Sequence, residues 1–287
     1  MKPFEIHDVR SAGEASELLA HYGETAKPYA GGTELLLVMK AGLLHYDHLI
    51  NIKTIPGLNA IRYAEDQSML KIGALATHRD IERSPVVQKH LSLLAELERS
   101  IANVRVRNVG TIGGNLSFAE PHSDPATLFM ALGAQLKLGS SRGDRTLPID
   151  EFIVDAYETA LNQDELLTEI QIPLPSTRTG GGYQRFQFYE RPAVSVAVWL
   201  TLDRAREGME EVRITVGCVE PKPVRAIEAE AILQGKAIDE ARSLIVEAGR
   251  KAAAAMHPID DLNGSGEYKK HLVEVFVTRA FHQAYRI

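Results

Sequence analysis

An α+β architecture in two parts is what this 287-residue sequence predicts. Three observations carry that reading. The stretch Ser176-Thr177-Arg178-Thr179-Gly180-Gly181-Gly182 has the composition of a linker. Beyond it, strand-like runs at 183–189, 193–203 and 211–219 are followed by helical stretches at 225–234, 239–255 and 267–284, the order of an antiparallel sheet backed by helices. Ahead of it, short strands and helices alternate around two glycine pairs set in polar turns, Ala30-Gly31-Gly32-Thr33-Glu34 and Thr111-Ile112-Gly113-Gly114-Asn115.

The elements follow in order. Ser11-Ala12-Gly13-Glu14 is a capping box that opens a helix with Ala15, Leu18, Leu19 and Tyr22 on one face, and Gly23 stops it. A strand through Pro28-Tyr29 delivers the chain to the first glycine pair. Past that pair the apolar run Leu35-Leu36-Leu37-Val38-Met39 predicts a buried helix ending near Gly42, and Leu49-Ile50-Asn51-Ile52 a strand. Residues 59–76 form a hairpin turning at Glu65-Asp66-Gln67. Thr77 caps a helical turn, and Pro85 opens a longer helix carrying Val86, Leu91, Leu94, Leu97 and Ile101. Asp124-Pro125 starts another helix to Leu132, with strands at 135–139, 145–148 and 165–172 after it.

Composition removes several function classes. The 45% hydrophobic and 24% charged fractions are those of an ordinary globular chain large enough for two cores. A net charge of −6 with scattered Lys and Arg argues against nucleic acid as a partner. The longest apolar run is too short to span a bilayer, and the N-terminus lacks a secretory signal, so no transmembrane segment and a cytoplasmic location are expected. Cys218 is the single cysteine, which rules out an internal disulfide and an iron–sulfur cluster held by this chain alone. His45 and His48 lack a third ligand nearby in sequence, so no metal site is expected. No Ser–His–Asp or Cys–His set can be assembled from sequence order, and no catalytic residue is assigned. His78-Arg79-Asp80 lacks the rest of a kinase site, and Arg142-Gly143-Asp144 reads as a hairpin turn.

The glycine turns carry the chemistry. A residue without Cβ lets another group approach the peptide N–H closely, and consecutive N–H groups in such a turn converge on an anion. At the first turn the donors of Gly31 to Glu34 lie at a helix start, Thr33 adds a hydroxyl, and Glu34 points away from a phosphate. The pattern is neither a Rossmann nor a Walker motif, and an ordinary glycine turn is the competing reading. After the second turn, Ser123 and Asp124 either cap the next helix or bond ribose and ribityl hydroxyls.

Tyr29-Ala30-Gly31-Gly32-Thr33-Glu34-Leu35, Arg107-Asn108-Val109-Gly110-Thr111-Ile112-Gly113-Gly114-Asn115-Leu116, Pro121 to Pro125 and Pro258 to Leu272 occur in this order along nearly the whole chain. Together they resemble the FAD-binding medium subunit of the molybdenum hydroxylases, the xanthine dehydrogenase and aerobic carbon monoxide dehydrogenase family. The resemblance implies an FAD domain of the vanillyl-alcohol-oxidase (PCMH) type over 1–176, in subdomains of about 1–56 and 57–176. A linker at 177–182 and a small α+β domain at 183–287 would follow. It places the FAD pyrophosphate on both turns, at Ala30, Gly31, Gly32, Thr33, Glu34, Leu35, Thr111, Ile112, Gly113 and Gly114. Asn115, Ser123 and Asp124 become polar contacts to the cofactor. Many members carry a Lys near the flavin in the first strand after the linker; here Arg185, or Gln187 in another register, falls at that place. Phe188 and Tyr189 are candidates for packing near the flavin, and Asn263 stands where members often have Arg.

The implied task is electron transfer without a general base. The chain would take electrons from 2Fe–2S clusters on a small subunit, serve a molybdopterin-bearing large subunit, and pass the electrons to an external acceptor. A free-standing flavin subunit implies a heterotrimer, dimerised. Two other readings are a self-sufficient flavin oxidase of the same fold and a non-enzymatic nucleotide-binding or assembly protein.

Overall fold

The computed structural model describes residues 2–174, 178–188, 191–205 and 207–285. They form two compact units, one of residues 2–119 and 135–172, the other of 120–134 and the described residues of 173–285. The α+β class read from the sequence is what they show, as both units combine helices with sheets and the sheet of the second is antiparallel throughout. No helix of the described residues is long and apolar enough to cross a membrane.

The first unit opens with β1 (Glu5–Asp8), α1 (Ala12–Tyr22), β2 (Ala26–Tyr29), α2 (Leu35–Lys40) and β3 (His48–Asn51). Their strands make a parallel three-stranded sheet in the order β1-β3-β2. Helix α1 starts where the sequence says. Ser11 Oγ accepts from the Glu14 N–H at 3.1 Å, but Glu14 accepts from the Arg10 N–H rather than from Ser11, closing the cap one residue early. Gly23 ends it at φ +59°. Val9, Ala15, Leu19 and Ile50 form the core beneath. Helix α2 differs from expectation, since among its residues only Met39 is buried and Leu37 is 58% exposed. One turn and a half cannot bury five consecutive apolar side chains, because they point all round the axis.

The hairpin β4 (Ile61–Ala64) and β5 (Met69–Gly73) leads to α3 (His78–Arg83), α4 (Pro85–His90), α5 (Ser92–Ser100), α6 (Val104–Arg107) and α7 (Ile112–Phe118). The single helix expected from Pro85 to Ile101 is two helices. They part at Leu91, whose φ of −152° leaves the helical range. The halves bury against different elements, α4 on β4 and α5 on α3, which one straight helix could not do.

After α8 (Asp124–Leu132), the chain returns through β6 (Gln135–Ser140), β7 (Gly143–Pro148), α9 (Ile149–Phe152), the ribbon β8 (Ile153–Asp155) and β9 (Glu158–Thr159), and β10 (Leu166–Pro173). These complete a five-stranded sheet ordered β4-β5-β10-β6-β7. Arg145 on β7 clamps Glu165 with two hydrogen bonds of 2.7 Å. Those bonds hold the Glu165 carboxyl below the usual carboxylate value against the opposing effect of burial. A carboxylate depressed on folding stabilises the fold above its unfolded pKa, and that contribution is lost as pH falls through the folded value. The stability gap between the parent chain and Arg145→Met should therefore be widest near neutral pH and shrink below the ordinary carboxylate range. Denaturant midpoints measured across pH check this; a gap that stays constant into acid would exclude the clamp.

The second unit is a four-stranded meander, β11 (Thr179–Phe186), β12 (Val194–Leu202), β13 (Met209–Gly217) and β14 (Val224–Arg225), with α10 (Ile227–Leu233), α11 (Ile238–Ala254) and α12 (Gly266–Ala284). All nine residues of β12 are buried. The strand is covered on both faces, by α12 and by α8, so its sequence runs apolar without strict alternation. Helix α8, expected in the N-terminal domain, packs on β12 and β13 and so belongs to this unit. Gly180 to Gly182, read as linker, are strand; residues 175–177 lie outside the described ones. The glycines answer to packing, since a Cβ on Gly182 would meet the Ala280 carbonyl oxygen of α12 at 1.9 Å.

Candidate functional site

Strand β2 ends at Tyr29 and α2 begins at Leu35, so the first turn fills the gap between a strand and a helix start. Gly32 takes φ +73°, a conformation L side chains rarely adopt. Two carbonyls of the turn are engaged, Gly32 by the Leu36 N–H at 3.1 Å and Glu34 by the Val38 N–H at 3.0 Å. Its donors are not. Among the described residues, the N–H groups of Gly31, Gly32 and Thr33 have no hydrogen-bond partner. Three adjacent donors left open in one turn form the concavity that binds an anion.

The wall facing Gly31 comes from the approach to the second pair. A Cβ on Gly31 would lie 2.2 Å from the Val109 carbonyl oxygen and 2.8 Å from Gly110 Cα, so the two segments touch backbone to backbone. Thr33 Oγ1 also lies beside Gly110, 3.5 Å from the place its Cβ would take. Arg107 braces this segment by donating to the carbonyls of Ile101 at 2.8 Å and Ala102 at 3.1 Å.

The second pair itself has a different local role. Thr111 caps α7 by accepting from the Gly114 N–H at 3.1 Å, Ile112 N–H donates to Ala76, Gly113 N–H to Ala74 at 2.9 Å, and Asn115 N–H to Thr111. A Cβ on Gly113 would meet Ala74 Cβ at 2.5 Å. The donors of Ile112 and Gly113 thus hold α7 against the segment after β5, while those of Gly114 and Asn115 are taken up by Thr111. The glycines permit that contact.

Beneath lies a buried pair that the sequence reading passed over. His78 Nδ1 and Glu98 Oε2 are 2.6 Å apart with side chains 4% and 0% exposed. His78 N–H donates to the Gly110 carbonyl at 3.0 Å, and its ring edge packs on Gly110. Lys53 was also missed. Its Nζ sits 3.9 Å over the Tyr29 ring, whose edge packs on Gly32, which puts a cation one aromatic ring from the open donors. Neither Glu98 nor Lys53 has a local motif that could have announced it.

In the second unit Ser123 occupies the N-cap of α8 but makes no side-chain cap bond. The Asp124 carboxylate accepts from the Tyr183 hydroxyl and from Arg185 Nη1, and Arg185 Nη2 donates to Gln187. The two candidates for the flavin-side position, Arg185 and Gln187, therefore touch each other. Burial first, then the Asp124 charge, push the Tyr183 phenol well up, so it stays a donor. Thr127, Ser195 and Cys218 continue a buried polar chain at 3.1 and 3.3 Å. Burial likewise pushes the Cys218 thiol well up, which leaves no thiolate nucleophile there. Glu120, another residue without a sequence signal, is gripped by His122 at 2.8 Å and Arg191 at 2.9 Å. Against burial, those partners hold its carboxyl below the usual value. Phe188 is 58% exposed, and Tyr189 lies outside the described residues.

Comparison with known proteins finds relatives over nearly the whole chain. A sequence family described as the FAD binding domain in molybdopterin dehydrogenase matches residues 2–175. The carbon monoxide dehydrogenase flavoprotein C-terminal domain matches 187–284. The carbon monoxide dehydrogenase medium chain of Hydrogenophaga pseudoflava is 34% identical over 98% of this chain and 97% of its own. The nicotine 6-hydroxylase medium subunit of Paenarthrobacter nicotinovorans is 33% identical over 96% of this chain and 94% of its own. A solved structure of carbon monoxide dehydrogenase from H. pseudoflava, in the form lacking the Mo-pyranopterin moiety of its molybdenum cofactor, superposes with a TM-score of 0.93. It is 36% identical and covers 99% of this chain and 98% of that one.

Proposed function

The chain belongs to the FAD-binding medium subunits of the molybdenum hydroxylases, and we propose on that footing that it is the electron-transfer subunit of such a complex. It takes electrons from 2Fe–2S clusters on a small subunit and passes them to an external acceptor, while a molybdopterin-bearing large subunit transforms the substrate. The assembly is a dimer of heterotrimers. FAD, when bound, supplies a ring system that accepts and releases electrons.

The residues of this chain bind and orient. The observation that carries the reading is the row of open donors at Gly31, Gly32 and Thr33, which fits the pyrophosphate. Ala30, Glu34 and Leu35 complete that turn, and Lys53 adds positive charge beside it. Thr111, Ile112, Gly113 and Gly114 hold the second wall close enough to enclose the cofactor, with Asn115 as a side-chain contact. Ser123 and Asp124 accept from cofactor hydroxyls, and Arg185 fixes the Asp124 carboxylate.

Substrate choice lies outside this chain. Relatives named for carbon monoxide and for nicotine are similar to it to nearly the same degree, 34% and 33%. The test is to purify the chain alone and with its co-expressed partners. Alone, it should be yellow with one FAD and oxidise no reducing substrate; adding the partners should restore turnover. A colourless, folded chain, or substrate oxidation without partners, would overturn the proposal.

A further inference from the structure

Strands β1 and β3 run parallel with Glu5 opposite His48 and His7 opposite Ile50. This pairing brings together three side chains that no motif links. His7 Nε2 lies 3.0 Å from His48 Nδ1, and Glu5 Oε2 lies 3.8 Å from the first and 3.7 Å from the second. The nearest point equidistant from three atoms with those separations, in their plane, is about 2 Å from each, which matches zinc–nitrogen and zinc–carboxylate bond lengths. The geometry points to a divalent transition-metal site, filled by zinc, with Glu5, His7 and His48 as its three protein ligands.

Several features of the surroundings support it. Tyr22 stacks on the His48 ring at 3.8 Å and 21°, and flanks His7 at 5.1 Å, so α1 holds both imidazoles in place before any ion arrives. Both histidines are about one-fifth exposed, 22% and 21%, which leaves a path for the ion and room for a water as fourth ligand. Two imidazoles with one carboxylate suit zinc better than magnesium or calcium, which take mainly oxygen. The facing nitrogens are 3.0 Å apart, and coordination requires each imidazole to carry its N–H on the other ring nitrogen, so that both facing nitrogens offer lone pairs to the ion.

The site ties the edge strand β1 to the central strand β3 of the sheet whose third strand, β2, leads into the first glycine turn. Bound zinc therefore stabilises this part of the fold by mass action. It is separate from electron transfer and does not depend on that assignment.

The experiment uses the full chain without an affinity tag. Zinc binding is followed by calorimetry, and cobalt(II) serves as a visible-band probe of coordination. One zinc per chain is expected, with a rise in Tm. His7→Ala and His48→Ala should each weaken binding at least about tenfold and remove the rise. Glu5→Gln should weaken it less, because that side chain is 74% exposed. His45→Ala is the control, as His45 pairs with Asp47 at 2.9 Å on the same surface and should change nothing. No zinc bound at about 100 μM, far above any working affinity for such a site, would overturn the inference. So would undiminished binding in folded His48→Ala.

Discussion

Gly31→Ala should cost the chain its FAD while leaving its fold in place. A Cβ there would stand 2.2 Å from the Val109 carbonyl oxygen and 2.8 Å from Gly110 Cα. Both are backbone atoms, so neither can rotate aside as a side chain would. The first turn must lift from its neighbour, carrying with it the open N–H donors of Gly31, Gly32 and Thr33. Hydrogen bonds to a charged partner contribute about 1.5–3 kcal/mol each, so misplacing two of them weakens binding about a hundredfold or more. Flavin absorbance per chain after gel filtration reads the loss, and circular dichroism reports the fold. Gly42→Ala separates backbone strain from lost approach. Gly42 also has positive φ, +76°, but nothing lies within 4 Å of its Cβ position, so this variant should lose some stability and keep its FAD. A folded Gly31→Ala that retains FAD as well as the parent would remove the turn from the cofactor site.

Much of this fold was legible because local chemistry and tertiary packing agree. Ser11 and Thr77 cap the helices they were read to cap, Gly23 stops α1, and the runs beyond residue 183 became a meander with three helices. The family resemblance rested on ordered motifs, and the whole-chain matches bear it out. What stayed hidden depends on partners distant in sequence. The two glycine pairs look equivalent as strings, yet Gly113 gives its N–H to Ala74 while Gly31 has no such partner. That difference is decided by where the segment after β5 passes, not by the residues of either turn. Gly180 to Gly182 have the composition of a linker, but they are strand because α12 comes too close for a side chain at Gly182. Glu5 and His7 meet His48 only through the β1–β3 register, across more than forty residues of chain. Periodicity carries no information on contacts of that kind.

Glu98→Ala is the second change with a large expected effect, and it tests whether the layer under the turns sets their geometry. Glu98 is fully buried, and one of its oxygens has His78 Nδ1 at 2.6 Å while the other has no partner among the described residues. Removing one member of a buried pair strands the other, which typically costs about 3–5 kcal/mol. At 2–4 °C per kcal/mol for a unit of this size, Tm should fall by about 10 °C. The loss should also reach the cofactor. His78 holds the Gly110 carbonyl through its backbone N–H, and Gly110 is the wall on which Gly31 rests. FAD should therefore dissociate faster from Glu98→Ala at temperatures where the variant is still folded. The companion experiment replaces both members with apolar residues, Glu98→Leu with His78→Leu, which removes the stranded polar group as well as the pair. Because a buried pair offsets little beyond its own desolvation, the double variant should regain most of the lost Tm. It should regain less of the slow FAD release, since leucine does not reproduce the imidazole edge against Gly110. Equal recovery of both would mean that the pair matters only to stability. No fall in Tm for Glu98→Ala would mean that the pocket relaxes around the lost carboxylate.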